Sequence, residues 1–331
     1  MQRIEALLRE QHQRALTRLP DEVADYYGGG AGDEIALAEA EAAWWRYRLV
    51  PSVLRPVMTL STTVELFGTS LPHPVLVAPT AFHGLAHPDG EVASAAGAAA
   101  AGSLFVLSSR SDRAIEDVAE VAGTWWFQVY VTRDPAVVDD RVRRAVDAGA
   151  RALVLTGDTP FVGRKARQGR PLALDPALEQ DPSIDENEIY RLAEFSGLPV
   201  LVKGVLRADD ARRCLDAGAS GLIVSNHGGR QLGRAVATAD VLAEVVDGAG
   251  DAPVLVDGGV RTGTDVATAL ALGAKAVLVG KPVLWALAAD GTDGVRDLLA
   301  TVADDFAFTI ALLGVTHPSE LDRSYVRQPR S

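Results

Sequence analysis

Cysteine is almost missing from the 331 residues: Cys214 stands alone, which excludes an intramolecular disulfide and points to a reducing, cytoplasmic setting. Positive charge is also scarce. The 32 Lys and Arg residues are outnumbered by 44 Asp and Glu, and a formal net charge of -12 speaks against nucleic acid or an anionic membrane as a partner. Any anion site must therefore be built locally. Long hydrophobic runs are lacking too: the stretch from Val92 to Ala101 is too short and too alanine-rich to cross a bilayer. The N-terminus, with Glu5, Arg9 and Glu10, lacks the apolar core of a signal peptide. Of the six histidines, at 12, 73, 83, 87, 227 and 317, no pair forms a convincing metal set. His83 and His87 are four apart, but Gly84 and Pro88 favour a loop there, so no metal is expected.

What is present is a globular composition, 48% hydrophobic and 23% charged, long enough for a large core. Residues 1 to about 48 carry a helical pattern interrupted at Asp25-Tyr26-Tyr27-Gly28-Gly29-Gly30-Ala31-Gly32, where the glycines predict a loop. Pro51, Pro56, Pro72 and Pro74 make residues 49 to 74 an irregular or short β connection. Short apolar runs then recur at 75–79, 104–107, 125–131, 152–156, 199–202, 221–224, 253–256 and 276–279, with most gaps sized for one helix and its loops. Three helices end alike, at Asp147-Ala148-Gly149-Ala150, Asp216-Ala217-Gly218-Ala219 and Leu272-Gly273-Ala274, each glycine suited to a left-handed C-cap. One βα unit is being reused. Eight near-continuous apolar strands fit a closed parallel (β/α)8 TIM barrel of class α/β better than a doubly wound open sheet. The chain is thus expected to be a single domain, 1–331, with 1–74 as an N-terminal helical and irregular extension.

Such a barrel collects its chemistry at the C-terminal ends of the strands. Those ends read Ala78-Pro79-Thr80-Ala81, Ser108-Ser109-Arg110, Gln128 with Tyr130, Thr156-Gly157-Asp158, Lys203-Gly204, Ser225-Asn226-His227-Gly228-Gly229-Arg230, Asp257-Gly258-Gly259-Val260-Arg261 and Gly280-Lys281. Polar or ionisable groups close almost every run, as a ligand-filled mouth demands. His227 offers a base near neutral pH, and Arg230 three residues on offers a two-point grip on a carboxylate. The glycines of the last two strands with Arg261 and Lys281 occupy the usual phosphate position of these barrels, which implies a phosphate-bearing cofactor.

In these segments, and in Asp25-Tyr26-Tyr27 and Thr156-Gly157-Asp158-Thr159-Pro160, the chain resembles the FMN-dependent α-hydroxy acid oxidase and dehydrogenase family over nearly its full length. The resemblance implies FMN and a 2-hydroxy acid substrate; Ala81 beside the flavin suits an oxidase with O2 as electron acceptor, and family dehydrogenases also carry alanine there, so a dehydrogenase is the alternative. It makes His227 the base, Asp158 its orienting carboxylate and Arg230 the carboxylate anchor, with Tyr26 and Tyr130 touching the substrate. Lys203 would lie near the flavin N1 and C2 carbonyl. Pro79, Thr80, Ala81, Ser108, Gln128 and Thr156 would line the ring, with Ser225 a further candidate. Asp257, Gly258, Gly259, Arg261, Gly280 and Lys281 would hold ribityl and phosphate. A homo-oligomer, commonly a tetramer, is also implied.

Three departures fall on the substrate side. Arg110 stands where relatives such as glycolate oxidase carry a bulky aromatic, Lys165 stands where most carry Arg, and the segment from Gly163 to about Glu188 is shorter than the family's lid. A point charge is not equivalent to a planar fork. These changes imply a substrate larger or more anionic than glycolate, with Arg110 engaging its distal part. The alternative reading is oxidation or oxidative decarboxylation of a modified or carrier-bound hydroxy acid. A non-catalytic flavin-binding protein would not need the set of His227, Asp158, Arg230 and Lys203.

Overall fold

The apolar runs become strands because both of their faces are covered. The computed structural model describes residues 2–165, 167 and 179–328. In it the strands β1 Val75–Val77, β2 Phe105–Ser108, β3 Trp125–Val129, β4 Leu153–Thr156, β5 Val200–Val205, β6 Gly221–Val224, β7 Val254–Val256 and β8 Ala276–Val279 pair in parallel and in chain order, and β8 pairs with β1 to close the barrel. Strand side chains alternate between the two faces of a sheet. One set, which includes Leu76, Val106, Trp126, Val154, Leu201, Ile223, Leu255 and Leu278, forms a cluster inside the barrel. The residues between them, such as Val77, Phe105, Phe127, Leu155, Val202 and Val256, join the cluster shared with the outer helices.

Three helices, α1 Gln2–Arg18, α2 Asp21–Gly28 and α3 Ile35–Trp45, precede the barrel, and eight follow its strands: α4 Gly90–Ala100, α5 Ile115–Ala119, α6 Pro135–Asp147, α7 Asn187–Ser196, α8 Ala208–Asp216, α9 Thr238–Ala249, α10 Gly263–Ala271 and α11 Lys281–Leu312. The three matching sequence endings close α6, α8 and α10 in the same way. Gly149, Gly218 and Gly273 take φ of +90°, +96° and +112°. The next amide donates back into the last turn, Ala150 to Ala145, Ala219 to Cys214 and Ala274 to Ala269, at 2.9–3.0 Å.

The expected loop at residues 25–32 begins later than the sequence suggested. Helix α2 runs through Asp25, Tyr26 and Tyr27 to Gly28, and only then does the chain turn, with the Gly29 amide donating to the Asp25 carbonyl. The cluster's first glycine ends the helix and its second, Gly29, caps it. Residues 49–74 hold an antiparallel hairpin, Val64–Leu66 with Thr69–Leu71, turned by Phe67 and Gly68, both at positive φ. Its Leu66 and Leu71 pack into the interior cluster and Phe67 meets Trp126 at 5.7 Å, so the hairpin plugs one end of the barrel.

The other end is roofed by α3. The Trp44 indole donates to the Gly258 carbonyl at 2.8 Å, and Ala36 and Ala31 amides donate to Gly233 and Gly229. Gly259, at φ +81°, lies so close beneath α3 that a Cβ there would sit 2.0 Å from the Ala40 carbonyl oxygen. We expect Gly259→Ala to destabilise the fold by about 2 kcal/mol or more, from overpacking added to left-handed strain. Thermal unfolding checks this, and an unchanged midpoint would show that α3 is not seated on that turn.

Candidate active site

The pleat that fills the barrel also builds its mouth. Two residues beyond the interior residues Val106, Trp126, Val154, Leu201, Ile223 and Leu255 come Ser108, Gln128, Thr156, Lys203, Ser225 and Asp257, each buried. These polar groups satisfy one another. Ser108 donates to the Gln128 side-chain oxygen at 3.1 Å, and the Gln128 amide donates to Thr156 at 2.9 Å. Lys203 Nζ donates to Ser225 Oγ at 2.7 Å and pairs with Asp257 at 3.0 Å. A buried ammonium without such partners is strongly disfavoured.

One further pleat along β3, β4 and β6 come Tyr130, Asp158 and His227, and the structure brings these three together. Asp158 Oδ1 lies 3.0 Å from His227 Nδ1, and the Tyr130 hydroxyl lies 3.3 Å from Nε2. His227 has φ +58°, an uncommon conformation for a residue with a side chain, followed by Gly228 at +63° and Gly229 at +72°. Ser225 Oγ accepts from the His227 amide and the Asn226 side chain from the Gly229 amide, which holds the turn. Burial lowers the imidazole pKa below its ordinary 6.5, with Asp158 opposing. Burial raises the Asp158 carboxyl, but His227 and Lys203 outweigh it and leave Asp158 below its usual value. The pair therefore rests as neutral imidazole beside carboxylate.

Arg230 reaches over to α2: its Nη1 donates to the carbonyls of Tyr26 at 2.6 Å and Gly29 at 2.8 Å, and its Cζ stands 4.9 Å from the Tyr26 ring centre. Tyr27 instead packs, its hydroxyl donating to Phe82 O at 2.6 Å. Arg110 lies 4.6 Å from the Tyr130 ring centre, and its Nε and Nη2 are buried without a hydrogen-bond partner. Lys165 is close by, but its ammonium donates to the Arg230 carbonyl rather than standing open. Burial and Arg230 push it down to about 8. Residues 166 and 168–178, most of the segment expected to be a shortened lid, lie outside the described residues.

A cleft open to solvent runs past His227, Arg230 and Lys203. Its lining includes Pro79, Thr80, Lys203, His227, Asp257, Gly258, Gly259, Arg261, Gly280 and Lys281, and the Asp257 Oδ1 in that lining has no partner. Ala81 follows as a half-buried residue just beyond the lining. Arg261 pairs with Glu41 of α3 at 2.9 Å. Lys281 Nζ donates to the Gly228 carbonyl at 2.8 Å. Burial pushes that ammonium down to about 7, helped by Arg230, Arg261 and Lys165 and opposed by Glu34.

Two parts of this wall went unread in the sequence. Leu37, Ala40 and Glu41 of α3 face the cleft. Thr80 is held from behind at 2.5 Å by His83, which in turn meets Ser94 at 2.7 Å and is pushed down to about 4 by burial. Among the described residues no three His, Cys, Asp or Glu side chains gather into a metal-binding cluster.

Residues 15–180 and 176–328 match the family model of FMN-dependent dehydrogenases. The chain is 39% identical to the L-lactate oxidase of Nostoc sp., with 96% of each chain covered, and 42% identical to glycolate oxidase 1 of Zea mays, covering 94% of this chain and 93% of that one. It is 40% identical to the 4-hydroxymandelate oxidase of Amycolatopsis orientalis, covering 89% and 91%. A crystal structure of mandelate oxidase superposes with a TM-score of 0.92 at 39% identity over 97% of both chains. The chain belongs to the FMN-dependent dehydrogenase family.

It is an FMN enzyme of the α-hydroxy acid oxidase type, and the FMN-dependent dehydrogenase cleft suits its cofactor. A buried cation and polar ring groups lie at the barrel axis, and glycine turns with two cations lie under α3 at the other end. We expect FMN binding at pH 8 to take up about one proton, because a phosphate beside Lys281 favours its charged form, while the phosphate itself (second pKa ~6) is already ionised there. Calorimetry in two buffers of different ionisation enthalpy checks this. Lys281→Met should abolish most of the uptake, and its persistence would place the phosphate elsewhere.

Proposed function

We propose that this chain oxidises a 2-hydroxy acid to the 2-oxo acid, with His227 as the base and Arg230 as the carboxylate anchor. The observation that carries the reading is the neutral His227 fixed through Nδ1 by ionised Asp158, leaving Nε2 turned to Tyr130 and the mouth. Bound FMN supplies the two-electron acceptor. The alcohol gives up two electrons and two protons to become a carbonyl: His227 Nε2 would accept one proton, and the electron pair with the other proton would go to the flavin. Asp158 then stabilises the imidazolium through the same hydrogen bond that kept the neutral ring in its tautomer. Arg230, tied by Nη1 to Tyr26 and Gly29, presents the rest of its fork to the substrate carboxylate. The Tyr130 hydroxyl, whose ionisation burial opposes, stays a neutral donor beside the reacting oxygen.

Pro79, Thr80, Ala81, Ser108, Gln128, Thr156, Ser225 and Lys203 would hold the flavin ring, Lys203 offering positive charge. Asp257, Gly258, Gly259, Arg261, Gly280 and Lys281 would hold the ribityl phosphate. O2 as acceptor, giving hydrogen peroxide, is supported by the oxidase names of the relatives. A homo-oligomer is supported by the apolar and exposed Val53, Leu54 and Met58, and a cytoplasmic setting by the single, unpaired Cys214. Residues 1–331 act as one domain in this reading, because the extension supplies Tyr26 and the roof of the cleft.

Anaerobic mixing of the FMN-loaded protein with 2-hydroxy acids should bleach the flavin, and air should restore it. Bleaching by no member of a small, aromatic and dicarboxylic panel would overturn the reading. His227→Gln should keep its flavin yet slow reduction by about 100- to 10,000-fold; normal reduction would remove His227 from the mechanism. Because only neutral imidazole can accept the proton and its pKa lies below 6.5, kcat/KM should be level above pH 6.5 and fall on acidification below it. An acid limb centred above pH 7 would contradict that assignment.

A further inference from the structure

Arg110 is a cation with no anion. Its Nε and Nη2 are buried, yet no hydrogen-bond partner meets them among the described residues; its guanidinium stands 4.6 Å from the Tyr130 ring centre, while its backbone amide donates to Ser108 Oγ at 3.1 Å. Leaving a buried charged donor unsatisfied is costly, and a structure keeps such a group where a ligand completes it. The surroundings say where that ligand lies. Tyr130 carries Arg110 on its ring and His227 at its hydroxyl, and Tyr26 carries Arg230 on its ring. Both guanidinium groups also act on the ionisation of both tyrosines, which places the two cations around one space. That space has one base and two forks. Among the described residues the neighbouring lysines are engaged: Lys165 with the Arg230 carbonyl, Lys203 with Asp257 and Ser225, and Lys281 with the Gly228 carbonyl.

We propose that the substrate is a 2-hydroxy dicarboxylate, its carboxylate next to the alcohol held by Arg230 and its distal carboxylate held by Arg110. This rests on the 2-hydroxy acid reading above and narrows it. The chemistry is the same two-electron oxidation: the alcohol carbon loses its hydrogen and the oxygen its proton, FMN takes the electron pair, and the product is the 2-oxo dicarboxylate. Tyr130 serves both ends, as hydroxyl donor at the reacting centre and as the platform on which the planar Arg110 head lies flat. An aromatic 2-hydroxy acid stacked on Arg110 is the competing occupant, and it would leave Nε and Nη2 unsatisfied.

Flavin reduction by the holoenzyme, followed anaerobically, tests this with chain-matched pairs: malate against 2-hydroxybutyrate, and 2-hydroxyglutarate against 2-hydroxypentanoate, each as both enantiomers, with mandelate alongside. A charge-assisted pair predicts a preference of about 10- to 100-fold for a dicarboxylate over its monocarboxylate match in reduction efficiency. Arg110→Leu should collapse that ratio, and Arg110→Lys should restore part of it. A second readout needs no turnover: succinate should perturb the flavin spectrum of the oxidised holoenzyme at concentrations about 10-fold lower or more than butyrate does. Monocarboxylates or mandelate reducing the flavin as well as the dicarboxylates would overturn the proposal and leave the 2-hydroxy acid reading standing. No reduction by any acid would overturn both.

Discussion

The alternation of side chains along a closed ring of parallel strands is the constraint on which the rest of this molecule depends. Once β8 pairs with β1, every second residue must point inward, and there is no edge at which the choice can be escaped. The inward positions are apolar where the barrel is deep, from Leu201 and Ile223 to Trp126, and polar one pleat higher, at Lys203, Ser225 and Gln128. A further pleat brings Tyr130, Asp158 and His227. Core and site are therefore neighbouring strands, β3 to β6, read at different heights. A one-residue slip in β6 would expose Ile223 to the helix layer and turn His227 away from Asp158 in the same movement, so packing of the core enforces the geometry of the base.

That scaffold sets up an electrostatic pattern opposite to the protein's own. The chain carries -12 overall, yet Arg230, Arg261, Lys165 and Lys281 crowd one cleft closely enough for the first three to depress the fourth. Their repulsion is tempered by Glu34 and Glu41, both contributed by the N-terminal extension. Deeper in, Lys203 and Asp257 neutralise each other, and the Asp158 carboxylate stands 3.0 Å from His227 Nδ1. Buried charges survive here in pairs such as Lys203 with Asp257, while Arg110 Nε and Nη2 and the second oxygen of Asp257 have no hydrogen-bond partner among the described residues.

How much of this was legible in the sequence follows from range. The eight strands were readable because parallel strands buried on both faces leave uninterrupted apolar runs, and the three glycine-capped endings are local signals that the structure repeats bond for bond. His227, Arg230 and Asp158 were readable because each sits directly at a strand end. The short β connection expected over 49–74 is present, but its pairing as a hairpin at 64–71 was not legible, since its strands are three residues each and its turn offers only Gly68. Helix α3 gave no hint of its role, because Ile35–Trp45 is apolar around most of its circumference and no stripe marks the face that meets the cleft. His83 looked like a loop residue, and its buried contact with Thr80 and Ser94 comes from a helix that starts seven residues later. The glycines after Tyr27 argued for a loop too early, because a helix needs only its last residue, not its last turn, to be free of side-chain constraint.

The extension also changes what cofactor binding means for stability. Arg261 is shared between the barrel turn and Glu41, Trp44 is bonded to Gly258, and Gly259 has room only for a hydrogen beneath Ala40. This end of the cleft is thus an interface between two segments rather than a pocket in one. An anion placed there relieves the repulsion among the cations on the barrel side and gives α3 a second reason to stay down, since the same residues that contact it contact the helix. Ligand affinity for the folded form appears as folding free energy by mass action.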